Sequence, residues 1–310
     1  MEKIALRDAY GTELVELGKK YDNLFVLDAD LTKSTKTAGF AKAFPERFAN
    51  CGIAEGNMIS VAAGLSTCGN IVFASSFAMF AAGRAYEQVR NAVGYPKNNV
   101  KVVATHAGLT VGEDGATHQC LEDMALMRAI PGMIVISPSD ATQTKAALRF
   151  ACEYNGPVYI RLGRLAVPVI YGDDYVFTPG IYNKIAEGSD ITLMYTGPFY
   201  EAALQAREIL AAKGISLKIL DVPSIKPFAD EAAVEAVRDT KAVITIEDHN
   251  TVGGFGSAVC ESLCNIGGGV KVIRLGAQDK FGKSGTPAQL LAKYEMDADA
   301  IVAAAEKLSK

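Results

Sequence analysis

Short apolar runs rich in β-branched residues recur along this chain, each closing in a polar or Gly-containing loop and each separated from the next by a helix-like stretch. In the first half they fall at residues 23–27, 71–76, 100–104, 133–136 and 157–162, and in the second at 191–195, 217–220, 242–246 and 270–273. Between them, Leu6, Tyr10, Leu14 and Leu17 repeat at helical spacing, and residues 59–65, 77 to about 92, 121–129 and 301–308 read as helices. A strand buried on both faces reads as a continuous apolar run, whereas a one-sided sheet alternates. The pattern therefore predicts an α/β chain of two three-layer domains with mostly parallel sheets. A length of 310 residues with 49% hydrophobic content suffices for two such cores. Residues 169–188, interrupted by Gly, Pro, Asp and Tyr, predict the linker between a domain at 1–168 and another at 189–310.

The charge balance narrows the function classes. The net charge is only −4, with Lys and Arg scattered, which argues against nucleic acid or an anionic membrane as partner. No apolar run reaches the roughly 18 residues needed to span a bilayer. The amino terminus carries charges where a signal peptide needs an apolar stretch, so a cytoplasmic chain is expected. The six cysteines include no CxxC pair, which predicts buried thiols in a reducing compartment. Neither GxGxxG after a strand nor GxxxxGK[ST] occurs, so the chain gives no case for a self-contained nucleotide site.

Ligands in open α/β sheets gather at the carboxyl ends of strands. His106 follows the run 100–104, and Gly112-Glu113-Asp114-Gly115-Ala116-Thr117-His118 comes directly after. Gly-rich acidic loops are common as plain turns. Here, however, two of the chain's three histidines lie in one loop, where imidazole, carboxylate and backbone can converge on a small molecule. The third, His249, follows the run 242–246 at another strand end. Glu55 stands at the start of a helix, as a capping acid or as a carboxylate without a local base and suited to proton exchange. Phe77 and Phe80 share one face of a helical turn, as a core pair or as a clamp for a planar ring. Ser34, in the polar loop 30–37, either presents its hydroxyl to a ligand or belongs to a solvated turn. Arg161 and Arg164 flank the end of the run 157–162 and suit bidentate recognition of phosphate or carboxylate, or surface ion pairing.

The segments GIAEGNM, SSFAMF, THAGLTVGEDGATHQ and IRLGR, in this order and spacing, resemble the transketolase family. The resemblance spans essentially the whole chain, as the family's pyrimidine-binding domain followed by its C-terminal domain. It implies that Glu55 binds N1′ of the aminopyrimidine of thiamine diphosphate, a cofactor that supplies its own nucleophile so that no Ser or Cys is required. It implies that Phe77 and Phe80 pack on the pyrimidine and that Asp30 lies near the cofactor. His106, His118 and Asp114 would contact the sugar and assist proton transfer, while Arg7, Ser34 and Arg164 would anchor its phosphate.

Two departures from the family pattern matter. A third aromatic residue near the pyrimidine falls at Gly83, and the amino-terminal domain, with the GDG-type motif for Mg²⁺ and the diphosphate, is not in this sequence. A diphosphate needs its charge neutralised. The resemblance therefore implies a split transketolase in which this chain is the C-terminal subunit. A separate N-terminal subunit would supply the Mg²⁺ ligands, in an α2β2 heterotetramer. The reaction would move a two-carbon ketol unit from a ketose phosphate to an aldose, as in the pentose phosphate pathway. The alternatives are a transketolase specialised for an unusual or sulfonated sugar, a 1-deoxyxylulose-5-phosphate synthase-like enzyme, a 2-oxoacid dehydrogenase beta subunit, and a non-catalytic partner subunit. For the C-terminal domain beyond assembly, a structural role is expected.

Overall fold

The computed structural model describes residues 1–267 and 269–309. Its strands are β1 (Lys3–Ala5), β2 (Leu24–Asp28), β3 (Phe48–Asn50), β4 (Ile71–Phe77), β5 (Val100–Thr105), β6 (Ile134–Ile136) and β7 (Val158–Arg161). They continue with β8 (Ala166–Pro168), β9 (Asn183–Ala186), β10 (Ile191–Tyr195), β11 (Leu217–Asp221), β12 (Ser224–Lys226), β13 (Ala242–Asn250) and β14 (Lys271–Ala277). The first large sheet has the order β12-β6-β7-β5-β4-β2-β3 and the second the order β14-β13-β10-β11-β9. Every pairing in them is parallel except β12 with β6 and β9 with β11, so the chain is mostly parallel α/β as the runs predict. β1 and β8 form a small antiparallel ribbon.

Both faces of each sheet are covered, because successive side chains of a strand point to opposite faces. Along β4, Ile71 and Phe73 enter a core with Leu6, Tyr10, Leu14 and Leu17 of the helix Leu6–Lys20. Val72 and Ala74 enter another core with Met58, Ile59 and Ala62 of the helix Glu55–Thr67. In the second sheet, Leu193 and Ile219 meet Ile301 and Val302 of the helix Ala298–Leu308, while Met194 and Leu220 turn the other way. That other face belongs to the same core as Val72 and Met58, so one apolar body runs through both halves.

Three features escape the hydrophobic pattern. β9 lies within residues 169–188, expected as the linker, and forms an edge of the second sheet. β12 comes from the second half, yet it completes the first sheet. The helix expected from residue 77 to about 92 is three short pieces, with π-helical turns at Met79–Arg84 and Val89–Gly94 around Tyr86–Gln88. All six cysteines are free thiols, but only Cys120 and Cys152 are buried as expected, while Cys68 and Cys264 are exposed. No helix among the described residues is long and apolar enough to cross a membrane.

Candidate active site

Strands β2, β4, β5 and β7 are parallel neighbours, so their carboxyl ends open along one edge of the first sheet. His106 leaves β5 there with φ 56°, a left-handed backbone that a non-glycine residue adopts at a cost. Its ring stacks on Phe77 at 3.9 Å between centroids. Arg7 Nη1 lies 3.1 Å from His106 Nε2 and also donates to the Ser34 carbonyl at 3.3 Å. Arginine only donates, so Nε2 is an acceptor and the ring proton sits on Nδ1, 3.0 Å from Thr105 Oγ1. Burial, and after it the cations Arg7 and Arg164, push the His106 pKa down to about 3. The imidazole is neutral at physiological pH, and Arg7 Nε is buried without a hydrogen-bond partner among the described residues.

Glu55 is the first residue of its helix, where the dipole favours a carboxylate, and it is 1% exposed. Its expected lack of a nearby base does not hold in space: Arg84 Nη1 reaches Glu55 Oε2 at 2.9 Å from the π-helical turn. The same guanidinium lies 5.2 Å from the Phe80 ring centroid, which ties Glu55 to the aromatic pair. Phe77 and Phe80 are near-parallel, 6.0 Å apart, and His118 meets Phe80 edge-on at 5.4 Å. Gly83 faces Met79: a Cβ there would meet the end of the Met79 thioether, so this flexible side chain takes the space beside the missing aromatic.

Not every expected residue joins this group. Arg164 pairs with Glu113 at 3.2 Å and donates to the Val111 carbonyl, so it grips the acidic loop. Asp114 is exposed and makes no protein hydrogen bond or ion pair among the described residues. Asp30 is exposed at φ 65°, held by Asn50. Arg161 points inward, 4% exposed and paired with Asp123 at 2.8 Å, and is no surface anion receptor. His249 is fully buried within β13 rather than free at a strand end.

Sequence reasoning passed over Asp28. It is buried and accepts from Leu31 N at 2.6 Å, Thr35 Oγ1 at 2.7 Å and Thr37 Oγ1 at 2.8 Å. Burial raises its pKa, against the lowering effect of these donors. The carboxylate thus braces the loop that carries Ser34. Its readable signal is the clustering of Thr35 and Thr37 just downstream of an acid that ends a strand.

An aminopyrimidine fits this donor set. Glu55 Oε1 has no hydrogen-bond partner among the described residues, leaving a carboxyl oxygen that can share a proton with a ring nitrogen, and Phe77 and Phe80 offer aromatic surface beside it. No group of three or more His, Cys, Asp or Glu side chains is arranged to hold a metal ion among the described residues.

Comparison with known proteins identifies the family. Residues 2–169 match the transketolase pyrimidine-binding domain and residues 180–301 the transketolase C-terminal domain. The chain belongs to the transketolase family. It is 52% identical over 298 residues to a protein of Methanocaldococcus jannaschii described as a transketolase C-terminal section, covering 96% of this chain and 93% of that one. A 6-deoxy-6-sulfo-D-fructose transketolase subunit of Clostridium sp. (strain MSTE9) is 39% identical over 100% of this chain and 96% of its own. The transketolase of Mus musculus is 37% identical over 99% of this chain, which spans 49% of that protein. The solved structure of a split-gene transketolase, an inactive β4 tetramer, superposes with TM-score 0.90 at 50% identity, over 99% of this chain and 98% of that one.

Proposed function

We propose that this chain is the C-terminal subunit of a two-chain, thiamine diphosphate-dependent transketolase. It transfers a two-carbon ketol unit from a ketose phosphate to an aldose when joined to a separate N-terminal subunit. The observation that carries this reading is the convergence of Arg7, Ser34 and His106 beside Phe77, with Glu55 buried behind Phe80 and Arg84. The cofactor, when bound, supplies the nucleophilic carbon and the electron sink.

The chain's own residues bind, orient and move protons. Glu55 would share a proton between its carboxyl group and the pyrimidine N1′, and Phe77 and Phe80 would pack on the ring. Because His106 is neutral, its Nε2 can accept a hydrogen bond from a sugar hydroxyl without adding charge once Arg7 turns to the phosphate, and His118 faces the same rings. Arg7, with Nε unsatisfied among the described residues, and the Ser34 hydroxyl suit the substrate phosphate. Arg164 joins them by exchanging Glu113 for the phosphate. That exchange is cheap, since a partly exposed ion pair contributes about 0–1 kcal/mol. Asp114, free of protein partners among the described residues, is available to a sugar hydroxyl, and Asp30 to the cofactor. The diphosphate and Mg²⁺ are assigned to the partner subunit, the assembly to an α2β2 heterotetramer, and the reaction to cytosolic pentose phosphate metabolism.

The test is reconstitution. This chain and the N-terminal section of a split transketolase are purified separately, then assayed alone and mixed, with thiamine diphosphate, Mg²⁺, xylulose 5-phosphate and ribose 5-phosphate. Ketol transfer only in the mixture is expected. The relative from Clostridium gives a second donor to include, because a sulfonate displays oxygens to Arg7 and Arg164 much as a phosphate does. Turnover of 6-deoxy-6-sulfo-D-fructose alone would replace the substrate assignment, and activity of this chain by itself would overturn the two-chain reading.

A further inference from the structure

β13 ends in Asp248, His249 and Asn250; Asp248 bonds to the loop that carries the two candidate catalytic histidines, and Asn250 and His249 bond to the residues that follow it, Leu121 and Ala125. Asp248 Oδ1 accepts from Leu109 N at 2.7 Å, while Oδ2 accepts from Thr110 N at 3.1 Å and Thr110 Oγ1 at 2.6 Å. Asn250 N donates to the Leu121 carbonyl at 2.9 Å. His249 Nδ1 meets the Asn250 carbonyl at 2.6 Å, so it carries the proton and leaves Nε2 to accept from Ala125 N at 3.4 Å. Leu109 and Leu121 are also buried in the core of the C-terminal half. Gly108 N closes the neck of the loop on the Cys120 carbonyl at 3.0 Å. A Cβ on Gly108 would collide with the Asp248 carboxylate, so the turn sits directly on that side chain.

We propose that Asp248 is a positioning residue, through which the C-terminal domain fixes the turn 108–110 and with it the left-handed backbone of His106 and the contact of His106 with Arg7. Three donors converge on one side chain, which suits an acceptor-only carboxylate; an asparagine would turn an NH₂ group against one of them. Arg161 stands behind it, with Nη2 on the Asp248 carbonyl at 2.7 Å and Nε on Asp123 Oδ2 at 2.8 Å. The C-terminal domain thereby acts on the reaction as the fixed support of the active loop.

A purely structural tie between the halves is the competing account, and Asp221 supplies the control. This second buried carboxylate also joins the halves, accepting from Ser139 Oγ, Gln143 Nε2 and Tyr171 OH at 2.6 Å each, none of them in the loop. The imidazole resonances of the isolated chain, which has three histidines, are followed by NMR through a pH titration in wild type, Asp248→Asn, Asp221→Asn and Thr110→Val. The charged and titratable groups that lower His106, namely Arg7, Arg164 and His118, are kept in all four proteins. Loss of the Asp248 anion could by itself only lower the His106 pKa, so an upward shift reports water entry and lost geometry.

In Asp248→Asn the His106 titration should move up by about 1 unit or more toward its ordinary value of about 6.5. A smaller shift in the same direction is expected in Thr110→Val, and none in Asp221→Asn. This measurement needs no turnover, so it stands apart from the transketolase reading. In the reconstituted enzyme, where the inference does rest on that reading, Asp248→Asn should lower kcat about 100-fold with KM nearly unchanged, the effect of a small misplacement of a reacting group. An unmoved His106 in folded Asp248→Asn, or an equal shift in Asp221→Asn, overturns the proposal. If Asp248→Asn does not fold, an unmoved His106 in Thr110→Val does so instead.

Discussion

At the scale of single residues, the site combines a histidine kept neutral with a carboxylate kept out of water. Burial and two arginines hold the His106 pKa near 3, below its unfolded value. Between about pH 3 and about pH 6.5 the unfolded chain therefore carries a proton on this residue that the native chain lacks, and acid favours unfolding there. The stability of wild type relative to His106→Asn should fall as pH is lowered from 7 toward 4, with a limiting slope of about 1.4 kcal/mol per pH unit. Urea titrations at several pH values measure this difference, and a constant gap between the two proteins would contradict the neutral assignment. For Glu55, Glu55→Ala should abolish ketol transfer in the reconstituted enzyme while leaving the fold intact, because Arg84 is 55% exposed and can return to water. Circular dichroism checks the fold, and near-normal turnover would remove Glu55 from the mechanism. Glu55 and His106 could be named from the sequence at a helix start and a strand end, Ser34 from its polar loop, and Arg7 only through the family resemblance. Arg84 was not legible there, since it meets Glu55 across 29 residues. Nor was Asp248, which reaches Thr110 across 138. Such pairings exist only after the strands have found their order.

At the scale of elements, the long central strands were readable and the short edges were not. A strand covered on both faces is mostly apolar, and β4 and β5 are buried at every position, with Lys101 of β5 satisfied by the Tyr154 and Gly156 carbonyls. β9 and β12 have three or four residues and mixed burial, so no periodicity marks them. The π-helical turns at Met79–Arg84 and Val89–Gly94 evade an α-helical template for a different reason. Each closes one residue late, which shifts the angular phase of everything after it and re-aims Arg84 toward Glu55. Within the first of these turns, Met79 and Gly83 form an adaptable pair. Gly83→Ala should change the unfolding free energy by no more than about 1 kcal/mol, because the helix preference for alanine offsets the displacement of a flexible thioether. A denaturant titration reads the outcome, and a loss of several kcal/mol would show the Met79 side chain to be fixed.

At the scale of the whole molecule, two family domains share one apolar core and exchange a strand, with β12 completing the first sheet. The halves should therefore unfold in a single cooperative transition. Calorimetry checks this by comparing the calorimetric with the van't Hoff enthalpy, and two resolved transitions would contradict the shared core. The exchanged strand also sets a schedule for synthesis. β6 ends at residue 136 and its outer neighbour β12 ends at residue 226, so the ribosome must add 90 residues before the sheet edge can be covered. At about 5–20 residues per second that interval lasts roughly 5–20 s. Throughout it the nascent chain presents unpaired backbone groups beside apolar side chains, a template for pairing with another chain. The interval from residue 136 to residue 226 is therefore when this polypeptide most needs a chaperone.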